Sequence, residues 1–181
     1  MGKTADTTVK FKTMRSASSE MINALSALPK TDVLSSEQGW SVAGNELRSG
    51  AIGDSQQSEL VIKGIPRGTL SFNYRISSEP DFDKLEVYLN GQQLGSTSGT
   101  MSRFQRLVLP NTSNTLEFRY VKDGAIASGE DAAFISDLRH SSSTSTVSET
   151  TSSVTTSSSG GSIGWFGLLL LAPLWMRRKT A

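Results

Sequence analysis

The chain has 181 residues, with 18 Lys and Arg against 17 Asp and Glu, a net charge of +1, a single His and no Cys. That length holds one ordinary domain with appendages, and so small a net charge sets up no field for nucleic acid, which is not an expected partner. Without Cys there are no disulfides, no thiol nucleophile and no Cys-ligated zinc, although this does not place the chain in the cytosol.

From the N-terminus, residues 1–37 are polar and poor in aromatics, and read as a leader or as the remnant of an upstream domain. Met1 to Thr8 lack the apolar segment of a secretory signal peptide. Thr8 to Lys12 alternate like a strand. Met21, Leu25 and Leu28 are spaced along one face of a short helix that Pro29 stops.

Residues 38–140 read as β throughout. Leu70, Phe72, Tyr74 and Ile76 fall on one face of a strand, with Ser71, Asn73 and Arg75 on the other. Leu85, Val87 and Leu89 repeat the pattern against Glu86 and Tyr88. Asn90-Gly91 follows, a strong hairpin signal because both residues tolerate positive φ, and Gln92 to Ser96 form the return strand. Leu116, Phe118 and Tyr120 alternate against Glu117 and Arg119. Leu60-Val61-Ile62 and Ala132-Ala133-Phe134-Ile135 read as more fully buried strands. Short strands separated by turns, with no helix of normal length, predict an all-β antiparallel sandwich with Phe72, Tyr74, Leu85, Val87, Leu116 and Phe118 turned inward.

Trp40, Leu47-Arg48-Ser49-Gly50-Ala51-Ile52, Ser71 to Glu79, Asp83-Lys84-Leu85, Leu89-Asn90-Gly91, Phe118 to Asp123 and Asp131 to Leu138 occur in an order that resembles the MAM-like, concanavalin-type jelly-roll modules appended to secreted bacterial hydrolases and adhesins. The resemblance implies a jelly-roll sandwich with a carbohydrate or protein ligand. Phe134 and Ser136 depart from the Trp or Ile and the Asp often found at those places, which weakens the carry-over of a metal site from the family.

Within this region the acidic block Glu79-Pro80-Asp81-Phe82-Asp83 is the sharpest cluster. Pro80 argues against a strand interior, and with it against the paired strand carboxylates of a jelly-roll glycosidase. A solvated turn and a calcium loop stay open. Calcium takes about six to eight oxygens, so the loop alone is insufficient, and Glu130, Asp131 and Asp137 are the candidate further ligands beside Glu79, Asp81 and Asp83. No motif requires a cofactor; calcium is the ion these acids would take. His140 is the only base available to a Ser-His-Asp arrangement and lies where the domain ends, so no catalytic residue is expected and the chain is not read as an enzyme. Gly95 to Gly99 read as a loop rather than a nucleophile elbow. Trp40 reads as core or as a sugar-stacking platform.

Residues 141–162 are nearly all Ser, Thr and Gly, a composition that cannot bury a core and predicts a spacer. The chain then closes on a tail, residues 163–181. Residues 163–176 carry no charge, and Arg177, Arg178 and Lys179 follow. A helix over residues 163–176, at about 1.5 Å per residue, is roughly 21 Å long, short of the roughly 30 Å hydrocarbon core. Gly160 to Ser162 at one end and snorkelling Arg177 and Arg178 at the other extend it to a span. Ile163, Trp165, Phe166, Leu168, Leu169, Leu170, Leu171, Leu174 and Trp175 supply its apolar surface. The cations favour the cytoplasmic side, which places everything upstream outside.

Paired glycines, a short apolar run and a basic end, in that order, resemble the GlyGly-CTERM sorting signal of Gram-negative surface and secreted proteins. The resemblance implies that a rhomboid-type intramembrane protease, rhombosortase, cuts near Gly160, Gly161 and Ser162. The expected partners are then the membrane, that protease and the export machinery. The expected location is the inner membrane with the domain outside, then the cell surface or the medium. The chain reads as a non-catalytic cell-surface binding or accessory module. The alternative is the C-terminal fragment of an exported protease or glycosidase whose catalytic domain lies upstream. An exit signal without an entry signal makes a longer protein, or a start upstream of Met1, the expectation.

Overall fold

The computed structural model describes residues 13–142. Among the described residues eleven strands form two antiparallel sheets, and one short helix lies between the first two strands. The first sheet runs β1 (Met14–Ser16), β2 (Asp32–Ser36), β5 (Gln57–Ile65), β10 (Asn114–Val121), β7 (Lys84–Leu89) and β8 (Gln92–Ser98) in spatial order. The second runs β3 (Ser41–Ala43), β4 (Glu46–Arg48), β11 (Ala132–Ser142), β6 (Gly68–Ser77) and β9 (Thr100–Leu109).

The period-two pattern sets which faces meet. Leu70, Phe72 and Ile76 of β6, and Leu116, Phe118 and Tyr120 of β10, are buried in one core cluster, with Tyr74, Val87 and Leu89 partly buried against it. Phe72 meets Phe118 edge-on across the sheets at 5.1 Å between ring centroids, an arrangement favoured by the aromatic quadrupoles. Asn90 (φ 52°) and Gly91 (φ 81°) both take the left-handed conformation, so the hairpin between β7 and β8 forms where the sequence places it. Trp40 belongs to the core: it packs on Phe118 at 6.1 Å and its Nε1–H donates to the Ser58 carbonyl at 3.3 Å.

Three features depart from the sequence reading. First, residues 14–36, which the sequence sets before the sandwich, are joined to it. β2 pairs with β5 in the register Val33 to Ile62, and Met21, Leu25, Leu28 and Val33 enter the core. The helix α1 (Ser19–Ala24) is capped by Ser18 Oγ, which accepts the Met21 N–H at 3.2 Å. Secondly, β8 continues to Ser98, so the loop expected at Gly95 to Gly99 shrinks to a turn at Gly99 (φ 75°). Thirdly, β9 carries no legible alternation. It lies at a sheet edge with Phe104 and Val108 65% and 75% exposed, while Gln105 points with the partly buried positions.

The strand predicted at Thr8 to Lys12, the spacer from residue 143 onward and the whole tail lie outside the described residues. Among the described residues no helix is long and apolar enough to cross a membrane.

Truncating Phe72 to Ala removes a ring from this cross-sheet contact and should cost about 3–5 kcal/mol. Phe104→Ala, on the open face of β9, should change stability by less than about 0.5 kcal/mol. Urea unfolding of the two variants reads both outcomes; a costly Phe104 change would mean that this face is packed.

Candidate cation site

The loop between β6 and β7 is folded by its serines and by one left-handed residue. Ser78 Oγ donates to the Asp83 carbonyl at 2.8 Å and accepts the Gly99 N–H at 3.2 Å. Ser78 N–H donates to the Gly99 carbonyl at 2.9 Å. Asp81 turns the chain with φ 72° while its N–H donates to Ser98 Oγ at 2.8 Å. The loop is thereby tied to the turn between β8 and β9, and Asp83 enters β7 pointing inward with 0% exposure.

Beyond β10 the chain is held against the approach to β5. Lys122 N–H donates to the Gln56 carbonyl at 3.0 Å, and the Asp123 N–H donates to Asp83 Oδ1 at 3.1 Å. Asp123 Oδ1 in turn accepts the Ala125 N–H at 2.9 Å. These contacts bring Glu79, Asp83 and Asp123 together, each offering an oxygen within 4.8 Å of the others. Asp83 Oδ2 and Glu79 Oε2 are buried and accept no hydrogen bond.

Burial raises the Asp83 carboxyl above the ordinary aspartate range. The Asp123 N–H and the Lys122 charge oppose that rise, and the Asp131 and Asp123 charges add to it. Glu79 is raised for the same first reason, with Asp123 and Asp83 contributing and Lys122 opposing. Burial alone would lower Lys122, but its hydrogen bond to Asp131 and the surrounding carboxylates raise it instead. Its Nζ lies 2.5 Å from Asp131 Oδ2, and Tyr120 Oη donates to Asp131 Oδ1 at 2.7 Å. Burial and that same carboxylate push the Tyr120 phenol far above its usual value.

Of the acids singled out in the sequence, the structure therefore brings Glu79 and Asp83 together and adds Asp123. Asp81 is exposed on the loop. Glu130 is bound to Arg75 at 2.6 Å, and Asp131 belongs to Lys122 and Tyr120. Asp137, at the bulge of β11 with φ 52°, accepts the Asn73 amide at 3.0 Å and faces Arg139 at 3.7 Å. Asp123 ends the block Phe118 to Asp123, two residues past the last strand residue Val121; its place at a strand end was the only signal available. His140 Nε2–H donates to the Pro66 carbonyl at 3.1 Å. Gly160, Gly161, Ser162 and the anchor residues from Ile163 to Arg178 lie outside the described residues.

No family model and no curated protein sequence matches the chain. Among solved structures it is similar to the secreted serine protease VesC from Vibrio cholerae. The identity is 26% and the TM-score 0.68, over 71% of this chain and 28% of that one. The likeness is thus to somewhat more than a quarter of that protease. A family two carbohydrate esterase from Clostridium thermocellum aligns at 11% identity and TM-score 0.39, over 60% of this chain and 31% of its own. A family 35 carbohydrate binding module from an environmental isolate aligns at 10% and 0.31, over 59% and 93%. Superpositions this loose carry no inference about ligands.

The raised carboxyls set a sign for the pH dependence in chelator. A carboxyl whose folded pKa exceeds its unfolded value binds its proton more tightly when folded, so stability is highest at low pH and is lost as pH rises through the raised value. Thermal melts in EDTA should show this loss above the ordinary carboxylate range, partly offset by the other acids. Asp83→Asn, which keeps an acceptor for the Asp123 N–H, should flatten it. An unchanged pH profile in that variant would exclude Asp83 as the source.

Proposed function

We propose that the chain is a non-catalytic accessory module of an exported protein: a β-sandwich carried on a Ser/Thr spacer and ending in a GlyGly-CTERM-like sorting tail. The likeness to a secreted serine protease, at TM-score 0.68 and over 28% of that protein, is the observation that carries this reading. It favours a part that accompanies a catalytic domain. It also supports a second reading, in which the chain is the C-terminal part of an exported hydrolase, since 71% of this chain corresponds to a minor share of such an enzyme. The sole histidine is consistent with a supporting role, because its ring is engaged with the Pro66 carbonyl.

In this reading residues 163–176 insert in the inner membrane, with Arg177 to Lys179 in the cytoplasm and the sandwich on the far side. The helix is weakened by Gly164, Gly167 and Pro173, which suits a substrate whose backbone an intramembrane protease must unwind. Cleavage near Gly160-Gly161 then releases the module to the cell surface or the medium. Calcium is the ion such an exported module would take at its acidic loops.

The test is to export the chain behind a borrowed signal peptide, in cells with and without the rhomboid-type protease, and to locate the C-terminus of the product by mass spectrometry. A product ending near Gly160 only when the protease is present is expected. An intact Ala181 end on freely soluble protein in both strains would overturn the sorting-tail reading.

A further inference from the structure

We propose that Glu79, Asp83 and Asp123 together bind one calcium ion, which ties the loop before β7 to the segment after β10. This inference rests on the accessory-module reading only in that an exported module is supplied with calcium. Its observations are separate.

Clustered acids alone would signify little, since exposed carboxylates gather at many loop ends. Here the decisive group is Asp83, 0% exposed, whose Oδ2 has no hydrogen-bond partner, beside Glu79 Oε2 in the same state. A buried polar atom without a partner keeps the full cost of its desolvation, more when charged, and native proteins leave few of them unexplained. The nearby donors are already assigned. The Asp123 N–H is used by Asp83 Oδ1, and the ammonium of the buried Lys122 is held by Asp131. None of the three acids forms an ion pair among the described residues. Three carboxylates within 4.8 Å thus converge on a place where the protein supplies no cation of its own.

The donor chemistry selects the ion. All the donors are oxygens, with no His or Cys in the group, which disfavours zinc and the softer metals. The uncommitted oxygens are Asp83 Oδ2, Asp123 Oδ2 and the Glu79 carboxylate; water must complete the shell. They come from two irregular loops rather than from a regular cage. Calcium accepts about six to eight oxygens at roughly 2.3–2.6 Å in flexible geometry, whereas magnesium demands a near-ideal octahedron at about 2.0–2.1 Å. A divalent ion also compensates most of the charge that three neighbouring carboxylates would otherwise hold against one another.

The experiment uses the full chain in detergent, stripped with chelator and titrated with calcium chloride by calorimetry and by thermal melting. Saturable binding with Kd of about 10⁻⁴–10⁻³ M, the range of extracellular modules, is expected, with a melting temperature that climbs with free calcium. Asp83→Asn preserves the acceptor for the Asp123 N–H and removes a buried charge. It should bind at least tenfold more weakly, yet melt higher than the parent in EDTA. Asp137→Asn, at the β11 bulge, should bind calcium like the parent. Either no heat and no melting shift in the parent up to roughly 10 mM calcium, or parental affinity in Asp83→Asn, would overturn the assignment. Equal affinity for magnesium would overturn the choice of ion. Each of these results leaves the accessory reading untouched, because that reading is tested on the processing of the tail.

Discussion

Phe72 and Phe118 meet between the sheets, and the register of everything else follows from that contact. Each ring sits in the middle of a long strand, flanked by apolar inward residues and by polar or charged neighbours on the other face. β6 presents Leu70, Phe72 and Ile76 inward, and β10 presents Leu116, Phe118 and Tyr120. A slip of one residue in β6 would drive Ser71, Asn73 and Arg75 into the core in their place. β7 and β5 are then registered on β10, Val87 and Leu60 both lying opposite Phe118, while β11 and β9 are registered on β6. Trp40 reaches the same ring from the segment before β3, which joins the start of the chain to the centre of the core.

The outer faces pose a different problem, because β5 and β11 bury residues there as well as in the core. Glu59 is fully buried on β5, and Phe134 is 3% exposed on β11. Arginines meet both, Arg119 at Glu59 and Arg75 with Arg48 at Phe134. Arg119 reaches Glu59 at 3.2 Å and Glu117 at 2.7 Å while lying over the Tyr88 ring at 4.6 Å. Arg75 lies 3.3 Å above the Phe134 ring and is gripped by Glu46 at 2.8 Å and Glu130 at 2.6 Å. Surface ion pairs are worth at most about 1 kcal/mol each, so the number of pairs is not what matters. The guanidinium is a planar lid: it covers an aromatic ring while its edge meets carboxylates, which a lysine could not do.

This division explains what was legible in the residue order. β6, β7 and β10 are half-buried strands, and their alternation is visible because one face is core and the other is not. The Asn90-Gly91 turn is equally legible, because its left-handed backbone restricts the residue choice. β9 is an edge strand whose exposed positions include Phe104 and Val108, so hydrophobicity no longer marks the inside. β1 and β2 are short, and Met21, Leu25 and Leu28 look like an isolated helix face until the core that receives them is known. The acids divide in the same way. Glu79 and Asp83 share a loop and could be linked from sequence, whereas Asp123 joins them only through the pairing of β10 with β7, in which Val121 lies opposite Lys84. Glu130 and Asp131 were equally acidic in sequence, but Arg75 and Lys122 claim them.

Lys122 shows how the local field is arranged. It is nearly as buried as the core side chains, at 4% exposure. A buried ammonium needs a carboxylate and further hydrogen bonds, and Asp131, itself held by the Tyr120 hydroxyl, supplies the first of these. One positive charge is thereby matched to one negative charge, and Asp83, Glu79 and Asp123 feel Lys122 only at a distance. Hydrophobic packing gives no reason to bury Asp83: an apolar residue of similar size would fill the same volume without the cost of desolvating a charge. The Asp83 carboxyl does hold the Asp123 N–H, but Oδ1 performs that task alone. The second oxygen, turned toward two other acids, is the part of this loop end that the fold does not require.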